Sequence, residues 1–198
     1  MKIIFNGRYI SKAILNLTIE DNSPCHSILP ETALILRSLP FFYPSLSKDL
    51  CALVQPGVKI NKLGKEIQSK FAKSYYNEIA LFVHFIGLDL LKELAEKASN
   101  YLPAIAYDYC LNVGPFIEAN SVRDKISCQL GLNEQFTDEQ FNWQDLIDNS
   151  ISEASHFYTL KTGDIILAGE GVMIPHIAIG DKIDIRFENN DYLTSRVK

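Results

Sequence analysis

The chain is short of the groups that bind metals through sulfur, cross-link a fold or coat a polyanion. Its four cysteines, Cys25, Cys51, Cys110 and Cys128, form no Cys-x-x-Cys pair, and none combines with histidine at zinc-finger spacing. They read as reduced, buried thiols. Nineteen basic residues against 24 acidic ones leave a net charge of −5, with no cluster of five or more Lys/Arg. Broad nucleic-acid binding needs a basic footprint that releases counterions, so it is excluded. The longest apolar runs, such as Ile79 to Phe85 and Ile165 to Ala168, fall far below the roughly 20 residues that span a bilayer. The opening Met1-Lys2-Ile3-Ile4-Phe5 is cut by Asn6-Gly7-Arg8 too early for a secretory signal. The expectation is a cytoplasmic protein with no membrane partner. There is no G-x-S-x-G, no phosphate-binding loop and no G-x-G-x-x-G, which removes the commonest catalytic signatures.

What is present describes a folded chain. It has 198 residues, 47% hydrophobic and 22% charged, with no linker, repeat or low-complexity stretch, so a single domain over 1–198 is expected. Residues 1–6 read as a strand closed by Asn6-Gly7. Four prolines between 21 and 48 imply loops and extended chain there. Val58-Lys59-Ile60 reads as a strand end with a turn at Asn61 to Gly64, and Lys65 to Tyr76 as an amphipathic helix. The apolar run Ile79 to Phe85 predicts a buried strand. Leu88, Leu91, Leu94, Ala95 and Ala98 mark one helical face. Alternation from Ile126 to Leu132 predicts a half-buried strand. Trp143 to Tyr158 predicts a helix, and Gly163-Asp164 and Gly180-Asp181 each open a strand, at Ile165 and Lys182. Tyr192 to Val197 is a last strand. The fold class that follows is α+β and β-rich, with mixed sheets and a few short helices.

Few residues stand out chemically. Gly169-Glu170-Gly171 is a turn able to approach a ligand closely, although a plain turn reads as well. His26, His84, His156 and His176 are scattered. His84 closes an apolar strand and reads as a hydrogen-bonded core histidine before it reads as a base or a ligand.

The segment Thr159-Leu160-Lys161-Thr162-Gly163-Asp164-Ile165-Ile166-Leu167-Ala168-Gly169, followed by Ile179-Gly180-Asp181-Lys182-Ile183, resembles the fumarylacetoacetate hydrolase family, which carries T-L-x-x-G-D-[VIL]-[IL]-x-T-G-T-P and a later x-G-D-x-[VI]. Met1-Lys2-Ile3-Ile4 with Gly7 matches that family's opening. Pro30 to Leu34, Pro40-Phe41-Phe42, Asn61 to Lys65, Tyr75-Tyr76 and Val113-Gly114-Pro115-Phe116 continue the match in nearly ungapped register. The short bacterial members, of about 200 residues, are the ones resembled. The resemblance implies their β-rich fold of mixed sheets or a β-roll, and a habit of forming homodimers.

The resemblance also implies a site. In the family a hard divalent cation sits on two carboxylates of an E-x-E strand and on an Asp that opens D-x-[TS]-A-R-D. The cation polarises a keto or enolate oxygen, and basic side chains hold the substrate's carboxylates. Here the E-x-E positions fall on Leu53 and Gln55, and the Asp position on His84. The arginine of that segment becomes Leu88, the pocket lysine becomes Ile105, and the lysine of K-P-x-S-A-L becomes Leu29. The T-G-T-P loop becomes Ala168-Gly169-Glu170-Gly171. Asp89 and Asp108 survive from their motifs. Carboxylates and cations have given way together to apolar or oppositely charged groups.

Two functions compete. The first is a degenerate member without metal or ancestral chemistry, a pseudoenzyme that interacts or regulates as a homodimer or beside an active paralogue. The alternative is a Mg²⁺- or Mn²⁺-dependent hydrolase, decarboxylase or isomerase of a small keto acid or β-diketone. Its ligands would come from Asp108, Glu170 or Asp89, with His84 as base and Arg8, Leu29, Leu88, Ile105 and Glu170 lining the substrate pocket. A two-residue slip of register would draw Asp49 towards a ligand position, whereas Glu78 has the wrong parity. A third reading, a metal-free module with an apolar cavity, competes with simple collapse of Leu29, Leu53, Leu88 and Ile105 upon one another.

Overall fold

The structure is a computed structural model that describes residues 1–7, 26–35, 39–97, 99–122, 125–187 and 190–198. Its centre is a pair of long antiparallel strands, β4 (Leu50–Ile60) and β5 (Tyr76–Gly87), in register from Leu50 against Gly87 to Ile60 against Tyr76. Around the pair lie β1 (Ile3–Asn6), β2 (His26–Leu29), β3 (Leu34–Ile35), β6 (Leu111–Val113), β7 (Ile117–Glu118), β10 (Ile165–Leu167) and β11 (Val172–Ile177). Together they form a nine-stranded mixed sheet with the path β2-β1-β10-β4-β5-β6-β3; β11 also pairs with β4, and β7 with β5. The β1/β10 and β3/β6 pairs are parallel. A second, antiparallel sheet runs β13-β12-β8-β9, from β8 (Lys125–Leu132), β9 (Gln135–Asn142), β12 (Lys182–Phe187) and β13 (Asn190–Arg196).

Strand alternation divides the side chains between two cores. One face of the large sheet sends Ile4, Ala52, Val54, Val58, Leu81 and Val83 towards the small sheet and towards helix α4 (Trp143–Phe157), whose Trp143, Ile147, Ile151 and Ala154 form a stripe at helical spacing. The other face sends Ile3, Phe5, Cys51, Leu53, Phe82 and Leu167 against helices α2 (Leu88–Glu96) and α3 (Leu102–Ile105). The family positions lie on this second face. The α+β, strand-rich architecture is the one the residue pattern predicts. Among the described residues no helix is long and apolar enough to cross a membrane.

Several elements differ from expectation. Helix over Lys65 to Tyr76 is confined to α1 (Ser69–Ala72) and a 3-10 turn at Lys73–Tyr75. The cause is competition from α4. Glu66 N–H donates to the Ser155 carbonyl and Ile67 N–H to Ser155 Oγ, which holds the preceding chain in a bend, with Glu66 at φ 52°, and out of the helix. The strand marked by Val58 to Ile60 begins eight residues earlier, at Leu50. Pro56-Gly57 reads as punctuation, yet Pro56 sits where the far edge of β4 changes partner from β10 to β11, so its missing N–H costs no ladder bond. The strands β9 and β11 were not expected. The prolines of 21–48 do leave short strands at 26–29 and 34–35, while 21–25 and 36–38, with Cys25, lie outside the described residues.

The two Gly-Asp turns are structural fastenings. Asp164 is buried and accepts hydrogen bonds from the Lys2 backbone N–H at 2.8 Å, the Lys161 N–H at 2.8 Å and Lys2 Nζ at 2.5 Å. Burial raises its carboxyl pKa, but these donors outweigh it and hold the group below its ordinary value. Asp181 accepts from Ala178 N–H and from Asn133 Nδ2, joining the loop before β12 to the β8/β9 turn.

Candidate functional site

The three positions that the sequence register sets against the metal ligands of the resembled family converge. Leu53 stands directly opposite His84 across β4 and β5, and Gln55, two residues along β4, shares their face. Leu29 on β2, Leu88 at the start of α2 and Ile105 at the end of α3 pack in the same apolar cluster as Leu53. None of these six side chains is more than 5% exposed. Residues 53 apart from 84, and 29 apart from 105, are thus brought to one place by the fold.

Their chemistry is not that of a cation site. Leu53 has no donor atom. Gln55 Oε1 accepts the Gly169 N–H at 2.7 Å and is already engaged. His84 Nε2 lies 2.6 Å from the Ile105 carbonyl oxygen, and its ring meets Phe5 edge-on at 5.0 Å. Burial lowers the imidazole pKa to about 4, against the opposing pull of the Ile105 bond, so His84 is neutral. One neutral nitrogen among aliphatic side chains does not fit the hard divalent cation that the resemblance implies, which takes carboxylate and carbonyl oxygens. No group of three or more His, Cys, Asp or Glu is arranged to hold a metal among the described residues.

The other candidates lie elsewhere. Asp108 is exposed and accepts from Thr32 Oγ1 at 2.5 Å. Glu170 is exposed, because Gly169 presses on Asn6 and Gly171 on Val54, with no room for a Cβ at either, and the side chain between them faces solvent. Asp89 is exposed and is tied to Ser47 Oγ and the Lys48 N–H. Burial raises its pKa, but those bonds outweigh that and hold it low. Asp49 pairs with His176 Nδ1 at 2.8 Å and Glu78 with Lys59 at 2.7 Å. Asp89, Asp108 and Glu170 therefore do not assemble around His84. Arg8 lies outside the described residues. The thiols of Cys51, Cys110 and Cys128 are unbridged, and burial pushes each up to about 12. Surface clefts of 540 Å³, beside Gly114, Tyr192 and Arg196, and 660 Å³, beside Lys125, Phe187 and Tyr192, lie apart from this cluster.

Two features escaped the sequence reading. One is the Gln55–Gly169 bond that closes the loop after β10 over β4. The other is the hydrogen bond between the His84 imidazole and the Ile105 carbonyl. Only the spacing of the family motifs pointed to either.

No family model matches the chain. It is similar to a mitochondrial oxaloacetate tautomerase of Caenorhabditis elegans, 22% identical over 200 residues, which covers 98% of this chain and 92% of that protein. A mitochondrial oxaloacetate decarboxylase of Dictyostelium discoideum is 25% identical over 174 residues, or 85% of this chain and 80% of its own length. Among solved structures, the fumarylpyruvate hydrolase of Pseudomonas aeruginosa in complex with Mn²⁺ and pyruvate superposes with a TM-score of 0.80 at 18% identity, covering 100% of this chain and 89% of that one. A Yersinia pestis CO92 protein ascribed to the fumarylacetoacetate hydrolase family gives 0.82 at 22% identity, covering 100% and 93%. The chain has the fumarylacetoacetate hydrolase fold and resembles the short members of that family from end to end.

Proposed function

We propose that this protein keeps the fumarylacetoacetate hydrolase scaffold without its metal-dependent chemistry, and acts through binding, as a homodimer or beside an active paralogue. The observation that carries this reading is the apolar make-up of the buried cluster. Leu29, Leu53, Leu88 and Ile105 close on one another where carboxylates and cations are needed, and the one imidazole among them is neutral and bonded to a backbone carbonyl. Apolar side chains buried in one cluster supply no charge for a keto acid and its cation.

The test is thermal unfolding of the whole chain with EDTA, Mg²⁺, Mn²⁺ or Zn²⁺, each with and without oxalate as an enolate mimic, beside an assay of oxaloacetate consumption. A ligand at a hundred times its dissociation constant stabilises the folded state by about 2.7 kcal/mol. For a chain of this length that raises the midpoint by about 5–10 °C. The expected result is no shift and no turnover.

The relatives favour a second reading, since proteins named as oxaloacetate tautomerase and decarboxylase are similar over most of the chain. In that reading a metal-dependent reaction on a small keto acid persists with a rebuilt ligand set. A Mn²⁺ shift that grows with oxalate, accompanied by turnover, supports the second reading and overturns the first.

A further inference from the structure

The face that bears Leu53, Gln55 and His84 carries two orphaned polar atoms. Gln55 Nε2 and His84 Nδ1 are buried and meet no protein hydrogen-bond partner, and both residues are fully buried at 0% exposure. Their roles are fixed by the bonds their sister atoms make. The Gly169 N–H can only donate, so the atom it meets is Gln55 Oε1, and the amide nitrogen is left with N–H groups to give. The Ile105 carbonyl can only accept, so His84 carries its proton on Nε2 and a lone pair on Nδ1. One orphan donates and the other accepts.

They do not oppose each other directly. Leu53 faces His84 and Gln55 faces Phe82, so Gln55 and His84 stand on a diagonal of the strand pair. Diagonal neighbours lie about 7–8 Å apart at the backbone, a span that suits one bridging atom with a hydrogen bond to each side. The surroundings limit what that atom belongs to. Phe5, Leu29, Leu53, Leu88 and Ile105 supply no counter-charge, so an ion buried here stays uncompensated. A carboxylate has no proton for His84, and a cation has no use for the Gln55 N–H.

We propose that Gln55 and His84 bind one small uncharged hydroxyl between them, its oxygen accepting from Gln55 Nε2 and its O–H donating to His84 Nδ1. The hydroxyl is that of a water molecule or of a small alcohol. A metal cradle has in this way become a neutral hydrogen-bonding site, buried in the sheet. The inference rests on the reading that the site takes no metal.

A high-resolution crystal structure of the full chain, with and without an ethanol soak and a Mn²⁺ soak, tests it. The expected result is density for one oxygen within about 3.2 Å of both atoms. Density that stays a single atom assigns the hydroxyl to water. Density that extends into a carbon skeleton on soaking assigns the site to alcohols. A dry site, or a Gln55 amide turned to a protein acceptor, overturns the inference and leaves the proposed function standing. An anomalous Mn²⁺ peak there overturns both. In solution, His84→Phe is compared in the wild-type and Gln55→Met backgrounds. The lost Gly169 contact is common to both Gln55→Met proteins and the lost Ile105 contact to both His84→Phe proteins, so each cancels in the cycle. The expected melting loss from His84→Phe is smaller by about 3 °C in the Gln55→Met background, where the bridge is already gone. Equal losses overturn the inference. Should either variant fail to fold, the ¹⁵N shift of His84 Nδ1 in the wild type decides: a value displaced towards a hydrogen-bonded lone pair is expected, and an unperturbed one overturns it.

Discussion

At the scale of single residues, His84 and Asp164 are two buried ionisable groups whose shifted protonation bears on stability, and they act in separate pH windows. His84 has its folded pKa lowered to about 4 by burial, whereas an unfolded histidine titrates near 6.5. Between those values the unfolded chain binds a proton that the folded chain refuses. Stability therefore rises with pH across that window, and falls by up to roughly 3 kcal/mol as pH drops through it. Asp164 has a lowered carboxyl pKa, so its contribution is present above the unfolded carboxylate value and lost only at lower pH. The urea midpoint of the wild type should fall between about pH 7 and pH 4.5, and His84→Phe should flatten that part of the slope while keeping the acid loss below it. Equal slopes in the two proteins would remove His84 from the account. Asp164→Ala leaves the N–H groups of Lys2 and Lys161 without their acceptor, and is expected to cost about 2–4 kcal/mol in the same measurement. A loss under about 0.5 kcal/mol would mean that solvent satisfies those groups instead. That His84 is a core histidine was legible, since it lies in an apolar run. Its acceptor was not, because Ile105 is 21 residues away in sequence and no local pattern pairs the two.

Elements were legible where one face decides them. The stripe of α4 and the alternation of β8 each have a single buried side, so the period shows in the residue types; in β12 the residue types alternate although Asp184 is buried with Ile183 and Ile185. The part of β4 before Val58 is buried on both faces and ends in Pro56-Gly57, so it has neither alternation nor an uninterrupted run. β9 has the opposite difficulty: most of its residues are exposed and polar, and only its pairing with β8 makes it a strand. The turns on either side of β10 can be tested through their glycines. Gly163 has φ +89° with open space around a Cβ, and Gly169 has φ +73° with Asn6 O only 1.7 Å from where a Cβ would stand. Gly163→Ala should therefore cost about 1–2 kcal/mol, the left-handed penalty alone. Gly169→Ala adds a backbone collision and should cost well over that, with loss of the Gln55 bond that depends on the same loop. Matched urea unfolding of the two variants checks it, and equal losses would show that the loop moves aside freely.

For the whole molecule, the fold is that of the resembled family, while the residues that the sequence register sets at that family's metal-ligand positions are uncharged. The register that puts Leu53, Gln55 and His84 on the family's ligand positions comes from motifs spread along the chain, and the fold brings those three residues to one face of one strand pair. Whether the cleft beside them stays open was not legible, because apolar substitutions are equally compatible with an apolar cavity and with collapse. Leu29, Leu88 and Ile105 are buried in one apolar cluster, the arrangement that the proposed collapse requires. If the lost carboxylates are what separates this chain from a metal protein, restoring them should restore the metal. Leu53→Glu, Gln55→Glu and His84→Asp together place three carboxylates where none can be ionised cheaply without a cation. The triple variant should be far less stable than the wild type in EDTA, and less stable still as pH rises, because the folded state holds protons that the unfolded state releases. Mn²⁺ at a hundred times its dissociation constant should return about 2.7 kcal/mol, seen as a midpoint raised by about 5–10 °C, while the wild type stays unmoved. The neutral control Leu53→Gln with His84→Asn keeps polar groups of similar size and should show no Mn²⁺ shift. A folded triple variant indifferent to Mn²⁺ would mean that these strand positions do not form a metal-competent triad, and that similarity of fold has outlasted similarity of site.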